Sequence, residues 1–111
     1  MSAPDLGALL RRAQEVQERM AALQRDLARR RIEGTAGAGM VRAVVTGELR
    51  VLEIEIDPQL IASGDRAMLQ DLVAAAVNTA LSQAQRMVQE ELQRAATSMQ
   101  VAGSTPSSDA P

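Results

Sequence analysis

The chain lacks several of the side chains that carry chemistry in proteins. None of its 111 residues is cysteine, histidine, phenylalanine, tyrosine or tryptophan. Without cysteine and histidine, disulfides, thiolate nucleophiles, Cys/His zinc sites and imidazole general bases are excluded. No Asp-rich loop resembles a calcium site. We therefore predict a protein that is not an enzyme and that uses no cofactor, metal or small-molecule substrate.

The missing aromatic rings also bear on folding and association. Hydrophobic residues make up 46% of the chain, but its core has to be built from Leu, Ile, Val, Met and Ala alone. The length fits one domain, and a monomer of this size buries only about 65% of its unfolded surface. Composition therefore favours a homodimer. No stretch of about 18 apolar residues and no signal-peptide pattern is present, so we predict a cytoplasmic protein without a membrane partner.

Charge is distributed unevenly. The net charge is −2, yet residues 1–50 contain nine Arg and six acids, whereas residues 51–111 contain three Arg and eight acids. Every basic residue is Arg, which suits bidentate phosphate contact but is also what a GC-rich genome would produce. The positive charge of the chain thus lies in its first half.

The first half begins with a long predicted helix, from about residue 5 to residue 31. Its apolar residues recur at steps of four and three, a heptad-like pattern that favours packing against another long helix. Those positions are Leu9, Ala13, Val16, Met20, Leu23 and Leu27. A helix of this length should protrude from so small a domain.

Two strands are predicted after the helix, at residues 40–46 and 50–57, joined by a turn at Gly47 and Glu48. In the second strand Leu52, Ile54 and Ile56 alternate with Val51, Glu53 and Glu55. This alternation predicts one dry face and one wet face.

Pro58 ends the second strand, and a short connection at residues 59–64 leads to a second long helix with Asp65 as its N-cap. Small residues on that helix, including Ala76 and Ala80, should let another element approach closely. The helix is predicted to end near Ala96. We expect one domain at residues 1–96 and a disordered polar tail at residues 97–111.

Two clusters have both a functional and a structural interpretation. Gly34, Gly37 and Gly39 could cradle a phosphate, but a phosphate loop follows a strand and precedes a helix, and here that order is reversed. A flexible crossing or a bulged edge strand fits better. Glu53, Glu55 and Asp57 could bind a metal or act as acid and base. A solvated strand face fits them better.

The third cluster consists of arginines. The segment 11–31 contains seven arginines and three acids, and it places a partial basic stripe beside the apolar positions of the first helix. These candidate DNA contacts are Arg11, Arg12, Arg19, Arg25, Arg29, Arg30 and Arg31. The same charges are also typical of residues that merely solvate a long helix, so both interpretations stay open at this point.

Four segments resemble the YbaB/EbfC proteins in order and spacing: residues 13–20 (AQEVQERM), 32–41 (IEGTAGAGMV), 54–58 (IEIDP) and 71–78 (DLVAAAVN). The resemblance covers roughly 90 positions. It implies an α+β fold of order α-β-β-β-α with a small antiparallel sheet, two long helices and a tweezer-like homodimer. It also implies a nucleoid-associated protein that binds double-stranded DNA. The tail of this chain lacks the basic residue that often ends family members, and lysines usual in the family are absent.

From these observations we predict a DNA-binding homodimer in the nucleoid, with Arg–phosphate contacts, little base readout, and a role in nucleoid organisation and gene regulation. The alternative is a dimeric protein-interaction scaffold without direct DNA binding. The acidic second half favours that alternative, and the arginine-rich first helix favours DNA.

Overall fold

The computed structural model describes residues 5–103, with side chains described up to residue 99. The elements follow the order α1 (Leu6–Arg29), β1 (Arg31–Ala36), β2 (Val41–Thr46), β3 (Val51–Ile56), α2 (Pro58–Ala62) and α3 (Arg66–Gly103). The predicted α+β fold with an α-β-β-β-α order is confirmed, with α2 as a short addition where a plain connection was expected. The radius of gyration is 21.8 Å, against about 13 Å for a compact chain of this length, so the molecule is elongated.

Helix α1 begins at a side-chain cap and ends at a change of backbone direction. The Asp5 carboxylate accepts a hydrogen bond from the Ala8 N–H at 3.3 Å, which satisfies one of the free donors of the first turn. Arg30 is extended, with φ −66° and ψ 138°. The predicted helix end at residue 31 is therefore wrong, since the chain leaves the helix at Arg30 and enters β1 at Arg31.

The sheet is antiparallel with the order β1-β2-β3, so β2 is central. The glycine-rich segment forms edge strand β1 and the turn to β2, in agreement with the structural interpretation of Gly34, Gly37 and Gly39. Gly37 and Gly39 have φ values of +63° and +89°, a conformation that glycine adopts without strain. Gly34 lets α3 pack directly on the strand, because a Cβ there would lie 2.4 Å from the Ala80 nitrogen.

A bulge alters the predicted alternation of β3. The register shifts between Val44 and Val45, which sets Glu53 opposite Val44 and Val51 opposite Val45. Val45 belongs to the core, and directly paired residues share one face of a sheet. The placement of Val51 on the wet face with Glu53 and Glu55 is therefore wrong. An extra residue in one strand produces this shift, and the alternation of side chains alone does not reveal it.

The core lies between the sheet and α3. Its fully buried residues are small or medium in size, as an aromatic-free chain requires: Val41, Ala43, Val45, Leu60, Ala76, Ala80 and Ala84. Helix α3 packs mainly against β1 and β2. Asp65 caps the helix by accepting from the Met68 N–H at 3.0 Å, as predicted.

Strand β3 consequently lies largely outside the core. Leu52 is 49% exposed and Ile54 is 41% exposed, and only Ile56 of the predicted dry face is half-buried. The prediction of a dry face is thus wrong for the single chain. The reason is that α3 lies over the other two strands.

Helix α3 continues past the predicted end near Ala96 and reaches Gly103. The part of the predicted polar tail at residues 104–111 lies outside the described residues. Within residues 5–103, none of the helices combines the length and the apolarity that crossing a bilayer requires.

Candidate nucleic-acid interface

The seven predicted arginines fall into three structural settings. Five of them, Arg11, Arg12, Arg19, Arg25 and Arg29, lie on α1 and are exposed. Arg30 is the C-cap of α1, and Arg31 is the first residue of β1. The structure thus separates a helical group from two residues at the junction between the helix and the sheet.

The helical group lies opposite the apolar positions of α1. Arg11 and Arg29 are 18 residues apart, which is five full turns, so they lie on one line about 27 Å long. Leu9 and Leu27 are also 18 residues apart and lie about 160° around the helix from that line. We call the side that carries the five arginines the outer face of α1. Glu15 and Glu18 lie on the same side.

The apolar side of α1 is covered only toward its C-terminal end. Leu27 is fully buried, Leu23, Met20 and Val16 are half-buried, and Leu9 is exposed. Leu27 is held where β2 turns toward β3, since a Cβ on Gly47 would overlap the Leu27 carbonyl oxygen. The helix is therefore anchored at one end and projects at the other.

The five arginines of the outer face also differ from Arg30 and Arg31 in their ion pairs. Among the described residues, no carboxylate lies within 4.0 Å of a guanidinium nitrogen of the five outer-face arginines. Arg30, by contrast, pairs with Asp26 at 3.0 Å and with Glu91 of α3 at 2.9 Å. Arg31 pairs with Glu53 of β3 at 3.3 Å. The five helical arginines thus keep their hydrogen-bond donors available for an external anion.

In contrast to the arginines of α1, which are unpaired among the described residues, one arginine that sequence analysis did not consider is ion-paired to three carboxylates. Arg42 of β2 pairs with Glu33 at 2.7 Å, with Glu53 at 3.0 Å and with Glu55 at 2.7 Å. Arg42 lies directly opposite Glu55 across the ladder. Hydrogen bonding from its guanidinium, followed by its charge, lowers the pKa of the Glu55 carboxyl. The alternating charges of β2 and β3 were visible in the sequence, but their pairing depends on the register.

The acidic trio of β3 is divided by this arrangement. Glu53 and Glu55 are ion-paired on the sheet face that points away from α3, whereas Asp57 accepts from the Gln59 N–H at 2.8 Å and caps α2. Within the described part of the chain, no group of three His, Cys, Asp or Glu side chains is arranged to hold a metal ion. The trio has a structural role in the sheet and at the start of α2.

Comparison with known proteins identifies the family. The model of the YbaB/EbfC DNA-binding family matches residues 1–99. The chain belongs to this family. YbaB/EbfC proteins bind DNA and are not enzymes, which confirms the prediction that this chain is not an enzyme.

Individual YbaB/EbfC relatives align over most of their length. A protein named nucleoid-associated protein CT0805 from Chlorobaculum tepidum is 43% identical over 89% of this chain and 87% of its own. A nucleoid-associated protein of Pelotomaculum thermopropionicum is 36% identical over 93% and 98%. A crystal structure of an uncharacterized Helicobacter pylori protein has a TM-score of 0.54 at 19% identity, covering 79% of this chain and 98% of that one. That likeness concerns the fold alone.

Proposed function

We propose that this protein is a nucleoid-associated protein that binds duplex DNA as a homodimer through the outer face of α1. In this proposal each protomer contributes one projecting helix, and the two helices hold the duplex between them. Its role is in nucleoid organisation and gene regulation. The names of the relatives from Chlorobaculum tepidum and Pelotomaculum thermopropionicum support the cellular setting.

The observation that carries the proposal is the state of the outer-face arginines. The five residues are exposed and have no ion pair among the described residues: Arg11, Arg12, Arg19, Arg25 and Arg29. A guanidinium presents paired donors that match the geometry of a phosphate. The line from Arg11 to Arg29 spans about 27 Å, equal to the rise of about eight base pairs. One helix is thus long enough to contact several phosphates.

The expected mechanism is neutralisation of phosphates with release of condensed counterions. Such contacts hold the protein on the duplex without reading bases, because phosphates carry no sequence information. Affinity then falls steeply with salt, by a slope of about 0.9 per neutralised phosphate. The small net negative charge of the whole chain does not oppose this, because nine of the twelve arginines lie in residues 1–50, where they outnumber six acids.

The dimer is proposed to form through the exposed side of β3. Val51, Leu52 and Ile54 are 45%, 49% and 41% exposed and follow one another along an edge strand. We call these three residues the β3 patch. An apolar edge strand is an unusual surface to leave open to water. A second copy is the occupant we favour, because a two-fold contact sets the same patch against itself.

Light scattering tests the dimer. The wild-type protein should have twice the 11.8 kDa chain mass, whereas Ile54→Asp should have the monomer mass, since a charge in an apolar interface is strongly unfavourable. Leu6→Asp is the matched control, because Leu6 is 69% exposed and lies on α1. An unchanged mass for Ile54→Asp would place the interface elsewhere.

A gel-shift titration at several salt concentrations tests DNA binding. Arg11→Ala with Arg12→Ala removes four charges from a dimer and should flatten the salt slope by up to about 3.6. Circular dichroism should stay helical, because Ala is the best helix former. The matched control is Arg50→Ala with Arg66→Ala, which removes the same charge from exposed positions outside α1.

Two results would count against the proposal. Equal flattening by the two double variants would mean that total charge, and not the outer face, governs binding. No binding of the wild-type protein to any duplex even at about 50 mM salt, where phosphate contacts are strong, would remove DNA as the partner of this surface.

A protein-interaction scaffold is the second candidate, and one observation favours it. Leu6, Leu9 and Leu10 are 69%, 54% and 67% exposed at the projecting end of α1. Exposed leucines on a helix are typical of helix-in-groove recognition. If the wild-type protein does not bind duplex DNA, and a Leu6→Ser, Leu10→Ser variant loses a protein partner that the wild-type protein retains, the scaffold is supported.

A further inference from the structure

Arg30 occupies a position where three elements meet. It is the single residue between α1 and β1. Its N–H donates to the Leu27 carbonyl at 3.2 Å, and its own carbonyl accepts from the Gly47 N–H at 3.1 Å. The backbone of Arg30 is thereby tied to the last turn of α1 and to the turn between β2 and β3.

The side chain of Arg30 adds a third connection. Its Nη1 donates to Glu91 of α3 at 2.9 Å, and its Nη2 donates to Asp26 of α1 at 3.0 Å. Glu91 is the least exposed member of this group and also accepts from Arg94 at 2.9 Å. One guanidinium thus bridges a carboxylate on each of the two long helices. We call the residues Asp26, Arg30 and Glu91 the joint.

The joint matters because the apolar contacts that hold α1 are incomplete: Leu23, Met20 and Val16 are only half-buried. Leu27 is the only fully buried residue of the helix, and its contact with the body acts close to the point of attachment. The side chains toward residue 6 are exposed. An ion pair that links α1 to α3 across the attachment point restricts rotation about that point, even though it adds little to global stability.

We propose that Arg30 is a positioning residue that fixes the orientation of α1 relative to α3 and is not itself a phosphate contact. The link to DNA rests on the proposed function of the outer face of α1. Arg29 is the natural contrast, because it is adjacent in sequence, exposed, and without an ion pair among the described residues. The two neighbouring arginines should therefore behave differently when each is replaced by Gln.

Spin labels can measure the orientation directly, since the chain has no native cysteine. Cysteines replace Gln14 on α1 and Gln83 on α3, both exposed, and labelled protein is diluted with excess unlabelled protein so that distances within one protomer dominate. Arg30→Gln should broaden the distance distribution, whereas Arg29→Gln should leave it unchanged. Glu91→Gln removes the α3 partner without touching any arginine and should also broaden it.

DNA titration of the same variants gives the second readout. Arg29→Gln should flatten the salt slope by about 1.8 per dimer, at 0.9 for each lost phosphate contact. Arg30→Gln should keep the slope and weaken binding by about three- to tenfold, because only the fraction of protein with a correctly oriented helix binds. Arg30→Lys, which keeps a cation at the joint, should restore part of that loss.

The outcomes separate this inference from the proposed function. An Arg30→Gln protein with the wild-type distance distribution overturns the inference. So does an Arg30→Gln protein whose salt slope flattens as much as that of Arg29→Gln. If the wild-type protein does not bind duplex DNA, the proposed function fails, and the distance measurements still decide whether Arg30 orients α1.

Discussion

The arginines of α1 and the arginine at the centre of the sheet have the same side chain but different surroundings. Arg42 is enclosed by Glu33, Glu53 and Glu55, whereas the outer-face arginines have no carboxylate within ion-pair distance among the described residues. In the sheet, cross-strand neighbours supply the counter-charge. On the outer face of α1, Glu15 and Glu18 do not lie within ion-pair distance of an arginine, so the guanidinium groups remain available to an external anion. The comparison shows that location in the fold, more than residue type, decides which arginines are available to a ligand.

The sheet is tightly packed against α3, whereas the start of α1 is exposed. Substitution of a glycine in each region should give the largest difference in the free energy of unfolding. Gly34→Ala places a Cβ 2.4 Å from the Ala80 nitrogen and 2.7 Å from the Ala76 carbonyl oxygen, both backbone atoms that cannot rotate away. We expect a loss of about 3 kcal/mol in the free energy of unfolding, at the upper end for overpacked sites. Urea denaturation measures this loss.

Gly7→Ala on α1 is the matched control for that substitution. Its nearest neighbours beyond the helix backbone are the Oδ1 of the capping Asp5 at 3.3 Å, which has to shift by a few tenths of an ångström, and the Arg11 Nη1 at 3.7 Å at the end of an exposed side chain. We expect the free energy of unfolding to change by no more than about 0.5 kcal/mol, because the better helix propensity of Ala offsets a small strain on the cap. Effects of the same sign and size at both glycines would contradict the contrast between a packed body and a projecting helix.

Removal of the central guanidinium should have an intermediate effect. Arg42→Gln leaves Glu33, Glu53 and Glu55 as neighbouring negative charges without their shared cation, and like charges on adjacent strands repel. We expect the melting temperature to fall by several degrees. Arg11→Gln should leave the melting temperature unchanged, since no ion pair is lost. Equal changes in melting temperature for the two substitutions would contradict the claim that, of these two arginines, only Arg42 is held by ion pairs among the described residues.

Acid should weaken the sheet network in a defined direction. The pKa of Glu55 is lowered in the folded protein by hydrogen bonding from Arg42. Its contribution to stability is therefore present above the ordinary pKa of a glutamate and is lost as pH falls through the lowered value. The wild-type melting temperature should fall more than that of Arg42→Gln between pH 5 and pH 3, a range around the usual glutamate pKa of about 4.3. Parallel pH profiles would argue against the assignment.

The smallest effect is expected at the boundary between the two regions. Arg31 begins β1, pairs with Glu53 at 3.3 Å and is still largely exposed. Arg31→Gln should flatten the DNA salt slope by less than Arg29→Gln does, because one of its interactions is already made within the sheet. A larger flattening would mean that the DNA-contacting surface extends from α1 onto β1.

Much of the fold could be predicted from the sequence, because the spacing of apolar residues differs between helices and strands. The steps of four and three in α1 and the alternation around Glu53 and Glu55 locate those elements. The bulge that sets Val51 opposite Val45 left no signal, since alternation is the same on either side of a one-residue shift. The exposure of Ile54 was equally hidden, because it depends on where α3 crosses the sheet.

The sequence predicted the arginines of the candidate site together, and only the structure shows which of them are ion-paired. Seven arginines in 21 residues were evident, and five of them lie on one side of α1. Nothing in the sequence distinguished Arg29 from Arg30. Adjacent residues differ here because the helix ends between them, and helix ends are the least certain feature of a sequence-based prediction.

The single-residue connection at Arg30 gives α1 the mechanics of a lever. The fulcrum lies beside Leu27, and the 24-residue helix extends about 36 Å from it. A rotation of about 10° at the fulcrum displaces the far end by about 6 Å, close to one full turn of helix. Small differences in the geometry of the connection are thereby magnified at the tip. In the proposed dimer, a different residue at position 30 should therefore change the span between the two helix tips.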